Sequence, residues 1–294
     1  MNEQLGMFDK PRFHIGDKKI RLIELFAGIG AQAKAFENLG VDYESYAISE
    51  WDYHAVLSYY AQRHKDIGVI EMTESYMIDY LDRKGISSDG KKPMTREQIK
   101  RLGKNLRQVY EAYIKTNNLG SILNIKGEDL KIVDTDKYCY LMFYSFPCQD
   151  LSIAGKGAGM SKGTGTRSGL LWEVERILDE CTELPQVLIM ENVPQVHSKK
   201  NIDDFNTWIK FLESKGYSNY YKDLNAKNFG IPQNRNRTFM VSILGDYSYE
   251  FPKEFPLELR LKDVLDPVVE EKYYLSDKAT EGLVRQLQKK ENHL

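Results

Sequence analysis

Cys148 lies in Ser145-Phe146-Pro147-Cys148-Gln149-Asp150-Leu151-Ser152, directly after the apolar run Tyr140–Ser145. A cysteine fixed by a proline at a strand end, with a glycine-rich loop following, is placed where open α/β sheets gather reacting groups, and it suits a nucleophile. Taken alone, such a cysteine is more often packed into a core. Glu191-Asn192-Val193-Pro194 repeats the arrangement, with a carboxylate after the apolar run Val187–Met190. Arg235 and Arg237, within Gln233-Asn234-Arg235-Asn236-Arg237, immediately precede a further run beginning at Thr238. A lone glutamate or an arginine pair is usually a surface feature, but their succession at strand edges is more specific.

A second set of residues could hold a ligand. In Phe26-Ala27-Gly28-Ile29-Gly30 the glycines let the backbone approach a ligand closely where a helix begins. The third glycine of the dinucleotide fingerprint is absent, because Ala33 stands there, so a pyrophosphate site is disfavoured. Glu50 follows the second apolar run, where a carboxylate can accept both hydroxyls of a ribose. An adenosyl cofactor without a diphosphate satisfies both observations; a tight turn beside a surface glutamate is the plainer alternative.

These groups need a scaffold of alternating strands and helices. Ile20–Phe26 reads as a strand, followed by a helix ending at Gly40. Tyr46–Ser49 is a second strand and Trp51–Gln62 a second helix, a pattern that argues for a parallel sheet with right-handed crossovers. Residues 73–126 break the alternation and read as an insertion of polar loops around one helix. That helix carries a Thr95/Gln98 capping box and apolar residues at Ile99, Leu102, Leu106, Val109, Tyr110 and Tyr113. The alternation then resumes with strands Tyr140–Ser145 and Val187–Met190 and helices 169–180 and 203–215. Tyr217–Asn225 and Thr238–Leu244 suit an antiparallel hairpin at the sheet edge. The expected domain is 20–245, with 246–294 a proline-punctuated tail carrying a last helix, 277–289.

Composition narrows the partners. The content of 41% hydrophobic residues over 294 supports a substantial core, and no apolar run reaches membrane-spanning length or signal-peptide form, so a cytoplasmic protein without membrane contact is expected. Three scattered cysteines and five histidines show no metal-ligand spacing, so no metal is expected. The net charge of −2 gives no global nucleic-acid signature. Two local basic stretches remain. Lys91, Lys92, Arg96, Lys100, Arg101, Lys104 and Arg107 face one acid, Glu97, and read equally as a solvated face or a phosphate contact. Lys156, Lys162 and Arg167 lie within the glycine-rich loop Gly155–Gly169.

In this order the segments resemble the motifs of the DNA (cytosine-5)-methyltransferase family. The glycine turn matches its cofactor motif, Phe146–Gln149 its nucleophile motif, Glu191–Val193 its Glu-Asn-Val motif and Gln233–Arg237 its Gln-x-Arg-x-Arg motif; Thr166–Glu173 resembles the motif between them. The resemblance implies a Rossmann-like class I fold, S-adenosylmethionine as methyl donor, and double-stranded DNA as partner. Through it Cys148, Glu191, Arg235 and Arg237 are the expected catalytic residues. Phe26, Ala27, Gly28, Ile29, Gly30, Glu50, Trp51, Asp129, Leu130, Pro147 and Leu170 are the expected cofactor contacts.

The implied chemistry explains the residue types. Carbon 5 of cytosine is a weak nucleophile until a thiolate adds at carbon 6, the role implied for Cys148. A carboxylic acid at Glu191 would hold the exocyclic amine and ring nitrogen 3, and the arginines would hold the base carbonyl. The base must leave the stack, and Gly155–Gly169 suits that step, glycine giving freedom and the basic side chains meeting phosphate. A surface loop is its plainer alternative. Restriction-modification is a further association of the family.

Family members continue into a recognition domain, an Arg-x-x-x-Pro element and a Gly-Asn-Ser helix, none of them visible after Leu244. The sequence thus reads as the catalytic part of a split enzyme, with the recognition domain on a second subunit, or as a truncated product or fragment. Three rivals remain: an RNA methyltransferase, disfavoured by Phe146 where those enzymes carry proline; a nicotinamide or flavin oxidoreductase, disfavoured by Ala33; and a catalytically silent DNA-binding or assembly subunit.

Overall fold

The computed structural model describes residues 10–63, 71–148, 159–163 and 168–291. Its centre is a six-stranded sheet, β1 Lys19–Leu25, β2 Tyr43–Ser49, β3 Tyr138–Tyr144, β4 Val187–Asn192, β5 Tyr217–Asn225 and β6 Asn236–Leu244, in the order β2-β1-β3-β4-β6-β5. The first four pair in parallel, while β6 runs antiparallel between β4 and β5. The mostly parallel sheet with an antiparallel hairpin at its edge is the one the sequence pattern implies.

Alternation along the strands divides the side chains between two faces. On one, Ile23, Leu25, Tyr140, Met142, Tyr144, Leu188 and Met190 are buried with α6, Leu171–Glu180, and α7, Ile202–Ser214. On the other, Leu22 and Ile48 pack with Ala33 of α1, Ala31–Leu39, and Tyr59 of α2, Tyr53–Arg63. Further along that face Leu141, Val187, Val241 and Ile243 meet Phe13, Ile15, Tyr247, Tyr249 and Phe251. The tail expected from residue 246 thus begins as a strap on the sheet, bridged Arg12 to Ser248.

The insertion holds more helix than its sequence suggests. Besides α4, Arg96–Lys100, and α5, Leu106–Lys115, it contains α3, Glu74–Lys84, capped by the Thr73 side chain. The single helix expected across Ile99 to Tyr113 is two, broken at Gly103, whose φ is 53°. Met77, Leu81, Ile99, Val109 and Tyr113 close a separate core against Val56 and Tyr60 of α2.

The chain divides into two compact units, one comprising residues up to Asn225 with Asn236–Lys253, the other Ala226–Arg235 with Glu254 onward. The second unit carries the Phe229–Phe255 ring contact at 6.1 Å and α8, Asp277–Glu291, whose described side chains are exposed.

Candidate active site

Parallel pairing brings the C-terminal ends of β1 to β4 to one edge of the sheet, where loops following the strands converge. A cavity of about 450 Å³ opens there, lined by Phe26 after β1, Ser49, Glu50 and Trp51 at the end of β2, and Ser145 and Pro147 after β3. Leu170 closes it from the turn before α6. Gly90, Lys91 and Gly120–Leu123 complete it from the insertion.

The glycine turn is shaped by backbone requirements. Phe26, Gly28 and Gly30 have φ of 59°, 55° and 83°, the left-handed region in which a phenylalanine is strained. A Cβ at Gly30 would stand 2.6 Å from the Tyr59 ring. Beneath the turn the fully buried Glu24 accepts from Tyr59 Oη at 2.6 Å and from the Ala33 amide at 3.3 Å. Burial holds the Glu24 carboxyl above the usual carboxylate range.

Glu50 is held by the backbone. Gly28 N–H donates to Oε2 and Asp52 N–H to Oε1, both at 2.8 Å. Burial raises its pKa, opposed by those amides. A carboxylate has about four acceptor positions, more than the Gly28 and Asp52 amides use, which suits the hydroxyls of a ribose. Of the expected cofactor contacts, Phe26, Glu50, Trp51, Pro147 and Leu170 line the cavity. Gly28 acts through Glu50, Ala27 is buried, and Ile29 is exposed. Asp129 and Leu130 do not line it: the Asp129 carboxylate accepts from the Lys126 amide at 2.8 Å, capping its own turn, and Leu130 is in the core. Gly120–Leu123 form that part of the lining, and a Cβ at Gly120 would overlap the Lys84 carbonyl.

Cys148, half-buried, follows the cavity-lining Pro147 directly. Its loop is tied down from two sides. Asn192 Nδ2 donates to the Phe146 carbonyl at 3.0 Å, and Ser168 Oγ donates to the Pro147 carbonyl at 2.8 Å. Glu191, on the strand beside β3, pairs with Arg237 of β6: Nε lies 3.0 Å from Oε1, with both side chains about a quarter exposed. The antiparallel register, Glu191 opposite Phe239 and Asn192 opposite Thr238, brings the two motifs together. Arg235 is exposed and groups with the second unit. Asn192 and Ser168 were legible only as motif members; their tethering role needs the fold.

Gln149–Ala158 and Thr164–Arg167 lie outside the described residues, and with them Lys156, Arg167 and most of the glycine-rich loop. Lys162 is engaged by Glu175 at 2.7 Å, over the Trp172 ring. In the other basic stretch, Lys91 to Arg107, Arg96 pairs with Asp79 and Lys91 lines the cavity. Lys92, Lys100, Arg101, Lys104 and Arg107 are exposed. Among the described residues no group of metal-ligating side chains occurs, and no helix is long and apolar enough to cross a membrane.

Comparison with known proteins adds an independent line. The model of the C-5 cytosine-specific DNA methylase family matches residues 95–293. The orphan methyltransferase M.SssI of Spiroplasma monobiae is 41% identical over 270 residues, spanning 88% of this chain and 68% of that protein. The type II methyltransferase M2.ScrFI of Lactococcus lactis subsp. cremoris is 38% identical over 266 residues, spanning 88% and 71%. Among solved structures, the Entamoeba histolytica methyltransferase EhMeth superposes with a TM-score of 0.55 at 18% identity, over 88% of this chain. The S. pombe Dnmt2 methyltransferase gives 0.53 at 16%, over 89%. The chain spans 63% and 64% of the length of those two, and the likeness is one of fold.

Proposed function

Because the chain belongs to the C-5 cytosine-specific DNA methylase family, we propose that it methylates carbon 5 of a cytosine extruded from duplex DNA, using S-adenosylmethionine. The carrying observation is that Pro147 lines the cavity and Cys148 follows it directly in the chain, so a ligand in the cavity and the thiol share one edge of the sheet.

The cavity fits the cofactor. Its volume is within the range of roughly 300–1,000 Å³ usual for small-molecule sites, aromatic faces at Phe26 and Trp51 suit a purine, and Glu50 suits a ribose. When bound, S-adenosylmethionine supplies an electrophilic methyl group.

Cys148 adds as thiolate to carbon 6 of the cytosine, forming a C–S bond and placing electron density on carbon 5. Glu191 and Arg237 meet the polar edge of the base, where charge accumulates during that addition. Their mutual ion pair holds them ready, and a base entering between them exchanges it for its own hydrogen bonds. After carbon 5 has gained the methyl group it loses its proton to a base, and the returning electrons expel Cys148, restoring the thiolate. Asn192 and Ser168 keep the thiol on course by fixing the carbonyls of Phe146 and Pro147.

Transfer of labelled methyl groups to duplex DNA tests the reading, with a duplex carrying 5-fluorocytosine to arrest the covalent complex. The wild type forms a denaturation-resistant adduct. Cys148→Ala forms none and loses turnover by roughly 10⁴-fold or more, the scale of a lost nucleophile. Substantial turnover by the alanine variant would remove Cys148 from the mechanism.

A further inference from the structure

β2 is an edge strand, and edges leave backbone groups unpaired unless something covers them. Here residues 117–120 of the insertion do so. Leu119 N–H donates to the Ile48 carbonyl at 2.8 Å, and Asn117 Nδ2 to the Tyr46 carbonyl at 2.6 Å. Ser49 Oγ donates to the Gly120 carbonyl at 2.9 Å.

At the strand's end a side chain takes over from the backbone. Asn118, 1% exposed, accepts through Oδ1 from the Glu50 amide at 3.2 Å and from the Gly120 amide at 2.8 Å. Its Nδ2 donates to the Glu50 carbonyl at 3.0 Å. One primary amide thus holds both backbone groups of Glu50 and the N–H of Gly120, and Glu50 and Gly120 both line the cavity.

Resting on the assignment of this cavity to S-adenosylmethionine, we propose that Asn118 is a positioning residue that locks the ribose-holding carboxylate to the Gly120–Leu123 wall, so that the nucleoside half of the cofactor meets one rigid unit. The residue type follows from the bonds. Alanine leaves two buried N–H groups without their acceptor, although Tyr113 Oη still reaches the Glu50 carbonyl at 3.2 Å. Aspartate keeps the acceptor, loses the donor and sets a second carboxylate against Glu50. Serine is too short to span both segments.

Calorimetry on the full chain with S-adenosylhomocysteine and with adenosine, followed in parallel by the fluorescence of the cavity-lining Trp51, tests the assignment. Asn118→Ala weakens both ligands by the same factor, about tenfold, because the bonds at stake serve the nucleoside. It raises the cofactor KM and leaves kcat at saturating cofactor within about threefold. In a Glu50→Ala background the same change costs under about twofold, since a residue acting through Glu50 has nothing left to position. Asn118→Asp, equal in size, carries the same cycle where the alanine variant does not fold. Full additivity of the Asn118 and Glu50 substitutions, or wild-type affinity in both Asn118 variants, overturns the inference. A wild type that binds neither ligand overturns the assignment of the cavity itself, a result distinct from either.

Discussion

Glu50 and Glu191 stand at the ends of parallel strands on the same edge of the sheet, and different materials hold them. Glu50 is gripped by the amides of Gly28 and Asp52, and its own backbone by Asn118. Glu191 is gripped by a side chain, Arg237. Backbone donors cannot swing away when a ligand arrives, so the cofactor side is preorganised in the free protein. An ion pair between two side chains can be exchanged for bonds to an incoming base at the cost of a rotamer change. On the proposed assignment, the Glu50 side is fixed before a ligand arrives, and the Glu191 side is rearranged by its substrate.

That contrast breaks if the halves respond together. The largest effect is expected from Glu191→Gln, which removes proton exchange with the base: kcat falls by about 10²–10⁴-fold, while S-adenosylhomocysteine affinity by calorimetry stays within a few-fold. A matching loss of cofactor affinity would mean the halves are one cooperative unit. Glu50→Ala gives the converse. Loss of a charge-assisted contact costs about 1.5–3 kcal/mol of cofactor affinity, with turnover at saturating cofactor largely retained. A smaller effect sharpens the base side. Asn192→Ala frees the Phe146 carbonyl, and the rate of 5-fluorocytosine adduct formation drops about five- to tenfold, with cofactor affinity unmoved.

Local pattern carried the strands, the glycine turn and the order of the motifs into the sequence reading, because each is written in neighbouring residues. What escaped depends on partners distant in sequence. Asn118 looks like any loop asparagine until the edge strand β2 is placed beside it. α3 escaped because Met77, Ile78 and Leu81 are few among charged residues, and their burial depends on α2 and α5. The α4–α5 break escaped because the spacing runs on through Gly103, whose positive φ ends the helix regardless. Asp129 follows from motif order along the chain, whereas the cavity takes its wall from Gly120–Leu123, nine to six residues earlier.

The smallest expected effect is a slope with pH, and it discriminates between the two carboxylates. Burial raises the Glu50 pKa in the free protein, where Asp52 also opposes its charge. Tyr113, whose hydroxyl faces the Glu50 backbone, has its own pKa pushed well above the usual tyrosine value and stays neutral. Lys91 is a cation of the cavity lining. Ribose hydroxyls donate to the ionised form of Glu50, so binding favours that form and lowers the pKa. The sign follows: affinity is full above the raised pKa of the free protein and declines as pH falls through it, by at most about tenfold per pH unit. Calorimetry with S-adenosylhomocysteine in buffers of different ionisation enthalpy should register protons released on binding in that window. Glu50→Gln, with nothing to titrate, should bind more weakly and without the slope, while Glu191→Gln should keep the wild-type profile. A slope that survives in Glu50→Gln would move the titrating group elsewhere in the cavity.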